Sequence, residues 1–204
     1  MKGELVFRIA MLTLFFGYHI PRVYFRSQAR KNRVEKELGE STLSENKVRL
    51  VLMMISGLGA NFLGLVYLIN PKWLPWSYLD LPSWLRWVGG GIGLVTIIMS
   101  YSVHRALALS FTPTLQTIDG HRLVTDGIYR RIRHPMYTTF FLLFGASALL
   151  SASWLIGLLG FIYSLLILDR VQSEEIMLLK TFGEDYRLYQ QQSGKFFPRL
   201  TAKG

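Results

Sequence analysis

Two short polar blocks hold the residues able to do chemistry. The first is Arg133-His134-Pro135, and the second carries Arg170, Glu174 and Glu175. Proline in the first turn of a helix loses no needed hydrogen bond and presets the backbone, so Pro135 is expected to open a helix flanked by Arg133 and His134. Such an N-terminus offers unpaired amides and a positive dipole, which suit an anionic group such as a carboxylate or phosphate. Arg170 and Glu174 lie one helical turn apart and share a face, which permits an ion pair. On an open surface that pair would be worth only roughly a few tenths of a kcal/mol. The chain between the two blocks raises its importance.

Residues 136–168, 33 in all, carry no formal charge. As one helix they would extend about 50 Å, well beyond a bilayer core of about 30 Å. The run must fold back on itself, and Ser151, Ala152 and Ser153 at its midpoint are the place to turn. A helical hairpin returns its two outer ends to one membrane face and brings the Arg-His-Pro block to the Glu-Glu block.

The elements that position this site are membrane helices. Half of the residues are apolar, and several segments approach the roughly 20 apolar residues needed to cross a bilayer. The pattern predicts an all-α integral membrane protein with five transmembrane helices, near 5–24, 48–69, 84–110, 136–150 and 153–171. The last two form the hairpin, and a cytosolic amphipathic helix comes after it, with Ile176, Leu178, Leu179 and Phe182 at helical spacing. Arg8, one turn from the end of the first span, is expected to snorkel. No small-residue cleavage site comes after that span, so it reads as a helix rather than a signal peptide.

Basic residues orient the bundle. Nineteen of the 23 Lys and Arg fall in 21–49, 103–135 and 170–204, and the other four are Lys2, Arg8, Lys72 and Arg86. By the positive-inside rule the N-terminus lies outside, and the C-terminus and both polar blocks lie in the cytosol. The net charge of +10 thus tracks membrane borders and anionic headgroups, with no nucleic-acid partner expected. Trp73, Trp76, Tyr78, Trp84 and Trp87 form an interfacial aromatic cluster on the outer side. The glycines of 89–93 read as close helix packing. No cysteine occurs, and His19, His104, His121 and His134 share no ligand-like interval, so no metal is expected. The chain reads as one membrane domain, 1–204. Residues 1–103 supply lipid-facing helices and a substrate pocket, and 104–200 form the cofactor-binding and catalytic half.

That second half resembles the isoprenylcysteine carboxyl methyltransferase family and, more broadly, membrane methyltransferases that include phospholipid N-methyltransferases. The matching residues are His121-Arg-Leu-Val124, Gly127-Ile-Tyr129, Arg133-His-Pro-Met-Tyr137, Asp169-Arg170, Glu174-Glu175, Phe182-Gly183, Tyr186 and Tyr189. The resemblance implies S-adenosyl-L-methionine as cofactor, bound at the cytosolic membrane surface. His121, Arg122, Leu123, Val124 and Tyr129 would lie along it, His134, Pro135, Met136 and Tyr137 would hold its far side, and Glu174 would accept its hydrogen bonds. Arg170 would hold the substrate carboxylate, which with Glu174 makes these the catalytic pair. Thr114 stands where some members place a glutamine, with Gln116 nearby.

The implied reaction is carboxyl O-methylation of a lipophilic, prenylcysteine-like substrate drawn from the membrane. A carboxylate is already ionised near neutral pH, so it needs alignment rather than a base. An arginine fork matches it bidentately. Two rivals stay open. Methylation of a phospholipid amine would require a base to remove a proton first. Membrane sterol reductases resemble the same half and bind NADPH, whose ribose phosphate Arg130, Arg131 and Arg133 would suit.

Overall fold

The computed structural model of this chain describes residues 2–31, 47–107 and 123–199, and within these the architecture is all-helical. His121 and Arg122, the Thr114 and Gln116 positions, and most of the 28–47 loop lie outside the described residues. Five helices run in order: α1 (Lys2–Lys31), α2 (Lys47–Ile69), α3 (Ser83–Leu107), α4 (Pro135–Ser151) and α5 (Trp154–Gln192). Four of them are long and apolar enough to cross a membrane, and α4, at 17 residues, is a shorter apolar helix. Their outer faces are apolar, with Met54, Leu58, Phe62, Leu94, Ile98 and Phe161 all at least 60% exposed. That surface is what lipid requires and water penalises. The protein is an integral membrane protein.

The hairpin turns where the small residues stand. Ala152 caps α4 in the left-handed conformation (φ 54°), and the Ser153 hydroxyl accepts from the Ile156 amide to start α5. The turn is held from outside by the 70–82 loop, where Leu79 N–H donates to Ala152 O at 2.7 Å and Trp154 Nε1 donates to Trp76 O at 3.2 Å. Gly89 lets α3 approach α4 closely, since a Cβ there would sit 2.7 Å from Leu149 Cβ. The core runs down the middle through Met11, Leu14 and Tyr18 of α1, Tyr67 of α2, Phe144 and Leu150 of α4, and Ile167 and Val171 of α5.

Two helices differ from the sequence expectation. α1 passes through Pro21 and continues to Lys31 instead of ending near residue 24. A bundle can re-satisfy the backbone group that proline frees, so proline within a membrane helix need not end it. α5 likewise does not stop at residue 171 but continues through Glu174 and Glu175 to a kink at Gly183, whose φ of 51° and ψ of −119° are non-helical. About 20 residues from Trp154 suffice to cross the hydrocarbon core, so Glu174 and Glu175 fall just past it.

The polar residues of the first span also have protein partners. Arg8 donates from Nε to Leu68 O at 3.0 Å and from Nη2 to Ile69 O at 2.9 Å. It caps the last carbonyls of α2. Arg86 of α3 meets Glu4 of α1 at 2.8 Å, the Tyr67 hydroxyl of α2 at 2.8 Å and the Leu150 carbonyl of α4 at 2.7 Å.

Candidate functional site

The return of the hairpin brings the two polar blocks into contact. Glu175 Oε1 accepts from Arg133 Nε at 3.1 Å and faces His134 Nε2 at 3.2 Å, while Lys195 Nζ approaches Glu175 Oε2 at 3.4 Å. Burial alone would raise the Glu175 carboxyl. The hydrogen bonds and positive charge of His134 and Arg133 outweigh burial and hold it down at about 2. Glu175 is therefore the charge partner of the Arg-His-Pro block, a role the spacing alone did not assign.

Glu174 is placed differently. Its Oε2 lies 3.8 Å from His134 Nδ1, too far for a hydrogen bond. That oxygen is buried and accepts no hydrogen bond among the described residues. A buried acceptor without a donor costs about 1–3 kcal/mol. Beside it, burial and then the Glu174 charge push the Tyr129 phenol well above its ordinary value. Tyr129 stays a neutral hydroxyl. Across the same space Arg170 Nε donates to the Tyr137 hydroxyl at 3.1 Å, and the His134 and Tyr137 rings stack at 5.8 Å.

The loop that leads into α4 is fixed by a segment near the C-terminus. The Arg133 and His134 amides donate to Gly194 O at 2.8 Å and Lys195 O at 3.0 Å, and Gly194 N–H donates back to Arg131 O at 2.9 Å. Tyr189 Oη donates to Tyr129 O at 2.6 Å, and Thr138 Oγ1 donates to Phe196 O at 2.8 Å. Within the first turn of α4 the Tyr137 and Thr138 amides already donate to His134 O, at 3.1 and 3.2 Å. The anion-binding capacity expected of this N-terminus is correspondingly smaller. Sequence reasoning missed the 193–196 segment, whose only signal was Phe196-Phe197 shortly after a glycine.

The remaining expected residues divide between two spaces. Leu123 lines an open groove of about 710 Å³ with Asp126, Arg130, Phe182, Asp185 and Tyr189. Val124 is half-buried nearby in the chain, Pro135 is buried at the start of α4, and Met136 packs against the core. Arg170 instead lines a cavity of about 440 Å³ between α1, α2, α4 and α5, whose walls include Leu50, Met53, Leu143 and Phe144. Arg49 of α2 braces that end of α5 through Asp169, at 2.7 Å.

Fold and site together define a helical integral membrane protein with a charged site at one end of a largely apolar cavity. Residues 91–180 match the family model described as the isoprenylcysteine carboxyl methyltransferase (ICMT) family. The methanethiol S-methyltransferase of Pseudomonas deceptionensis is 36% identical over 122 residues, 57% of this chain and 44% of that protein. The protein-S-isoprenylcysteine O-methyltransferase of Dictyostelium discoideum is 31% identical over 124 residues, 57% of this chain and 52% of that one. Its counterpart in Schizosaccharomyces pombe is 36% identical over 84 residues, 39% and 34% of the two chains. The chain thus spans about half the length, or less, of these curated relatives. A solved structure of the eukaryotic intramembrane Ras methyltransferase ICMT shares the fold, with a TM-score of 0.53 at 21% identity, over 94% of this chain and 68% of that one. The resemblance carried by the motifs is shown by sequence over 91–180 and by fold over nearly the whole chain.

Proposed function

We propose that the chain is an S-adenosyl-L-methionine-dependent membrane methyltransferase that esterifies the carboxylate of a lipophilic, prenylcysteine-like substrate. The observation that carries this reading is the juxtaposition of two features: a cavity with lipid-compatible walls that ends on Arg170, and the unsatisfied acceptor of Glu174 one turn further along α5. In this reading the protein crosses the membrane five times, with α4 and α5 as the closing hairpin. The N-terminus is outside, the site faces the cytosol, and the α5 extension past residue 173 lies against the membrane as an amphipathic helix. Residues 1–103 shape the acceptor pocket and 104–200 hold the methyl donor.

The donor set fits that cofactor. Glu174 Oε2 would take the ammonium or a ribose hydroxyl, Tyr129 and Tyr137 would supply neutral hydroxyls beside it, and His134 and Pro135 would close its far side. His121, Arg122, Leu123, Val124 and Met136 are assigned the rest of its length. When bound, the sulfonium supplies an electrophilic methyl group. The work of the protein is then alignment: Arg170 presents its fork to the substrate carboxylate, and Tyr137 accepts from Arg170 Nε to hold the guanidinium in plane. No residue is asked to remove a proton, because the carboxylate is already ionised near neutral pH. Residues 133–135, anchored by Glu175 and 194–195, keep the two binding spaces in register.

A labelled-methyl transfer assay on membranes carrying the chain tests the reading. Base-labile label recovered as volatile methanol marks an ester product, and absence of transfer removes the proposal. The likeness to a methanethiol S-methyltransferase favours one second reading, S-methylation of a thiol. A thioether product survives base, so the same assay separates the two.

A further inference from the structure

The cavity that ends on Arg170 contains a charged group for which the hairpin offers no use. Arg22 of α1 lines it, together with Arg26 one turn further on. The Arg22 guanidinium lies over the Phe140 ring at 5.2 Å from its centroid. Its Nη1 is buried with no hydrogen bond of good geometry among the described residues, its polar neighbour being the neutral Tyr18 hydroxyl, which cannot balance its charge. A buried cationic N–H without an acceptor is costly unless an anion completes its shell. The other cationic groups lining it are Arg26 and Arg170, and His19 and Asn61 are joined to each other at 3.1 Å. Among the described residues, no Asp or Glu lines this cavity.

Among the described residues, one edge of the cavity reaches the apolar outer surface of the bundle. Met54 and Leu58 of α2, which form one of its edges, are 61% and 66% exposed on the outer surface of the bundle. A ligand entering there passes apolar side chains before it meets the guanidinium groups.

We infer that Arg22 is a second anion-recognition residue of the acceptor site, acting with Arg170 to select a lipid-tailed acid over its neutral ester and over a lipid-tailed amine. The inference deepens the methyltransferase reading and rests on it for the identity of the pocket. The Arg22 guanidinium repels an ammonium head, while a carboxylate can bridge α1 and α5. The product ester has lost the charge that Arg22 holds, so the same residue favours release after transfer. Arg22 belongs to the part of the chain outside 91–180, where the family model gives no guidance.

The test is equilibrium binding to the full-length protein in nanodiscs, without methyl donor, using N-acetyl-S-farnesylcysteine, its methyl ester and farnesylamine. The wild type is expected to bind the acid at least tenfold more tightly than the ester, and the amine most weakly. Arg22→Gln is expected to bring the acid down to the affinity of the ester and leave the ester unchanged, and Arg22→Lys to recover part of the preference. Ester binding doubles as the folding control. An unchanged acid affinity in Arg22→Gln, an equal loss for acid and ester, or no acid preference in the wild type each overturns the inference. Methyl transfer measured in parallel keeps the two claims apart. Acid selectivity through Arg22 without any transfer removes the enzyme reading alone, and transfer with an unchanged KM in Arg22→Gln removes only the role of Arg22.

Discussion

His134 Nε2 and Glu175 Oε1 lie 3.2 Å apart although 41 positions separate them in the chain. The contact exists because α4 and α5 form a hairpin whose two arms return to the same level, and it assigns the two adjacent glutamates to different tasks. Glu175 is fully engaged with Arg133, His134 and Lys195, whereas Glu174 keeps an acceptor in reserve.

The first prediction separates those tasks. Glu175→Gln should destabilise the protein by about 1–3 kcal/mol, because Arg133 loses its carboxylate inside a largely buried network. Glu174→Gln should leave thermal unfolding within about 0.5 kcal/mol of wild type yet weaken S-adenosylhomocysteine binding roughly tenfold, as expected for one charge-assisted hydrogen bond. Thermal melts and calorimetric titration read both, and identical behaviour of the two variants would contradict the division.

Acid should expose Glu175 specifically. Its folded-state pKa of about 2 lies below the ordinary carboxylate value, so its stabilisation is fully present above roughly pH 4.5 and is lost as pH falls toward 2. The stability gap between wild type and Glu175→Gln should close as pH falls from about 4.5 toward 2. A gap that stays flat down to pH 2.5 would mean that the charge of Glu175 is not what stabilises the loop.

Gly194→Ala tests the C-terminal anchor. A Cβ at this position would fall 1.8 Å from the Phe197 carbonyl oxygen, so the 194–197 backbone must move and release the Arg133 and His134 amides. Methyl transfer should drop at least tenfold, the cost of about 1.4 kcal/mol of misalignment. A variant with wild-type turnover would show that the anchor is dispensable for the site.

Arg170 and Tyr137 should differ in degree. Arg170→Ala is expected to abolish transfer while leaving S-adenosylhomocysteine affinity within about threefold, roughly 0.7 kcal/mol. Tyr137→Phe, which removes only the hydroxyl that receives Arg170 Nε, should lower kcat about five- to tenfold, the worth of one hydrogen bond. Steady-state kinetics with varied acceptor reads the split, and loss of cofactor binding in Arg170→Ala would reassign that residue.

Much of this arrangement was legible in the residues. The uncharged run 136–168 and its small-residue midpoint locate the hairpin to within a residue, because bilayer thickness and helix rise leave little freedom. The chain beyond Leu168 was less legible. The rule that a span should end near the membrane border implied a break after 171, but the helix continues past it and only kinks at Gly183, where φ turns positive, before running on to Gln192. Pairing of Glu175 rather than Glu174 with Arg133 depends on the rotation of α5, a tertiary property that spacing does not encode. The contributions of Arg22 and Arg49 were hidden for a related reason: basic residues at a cytosolic border already have an explanation, and only packing distinguishes those that point inward.

The Arg86 cluster has a mechanical consequence for the whole bundle. Glu4, Tyr67, Arg86 and the Leu150 carbonyl come from α1, α2, α3 and α4 and meet at a single knot at the end remote from Arg170 and Glu174. Four rods fastened together at one end spread most easily at the other. A separation of α1 from α2 would therefore pivot about that rivet, with its greatest travel beside Arg22 and its least at the far rim.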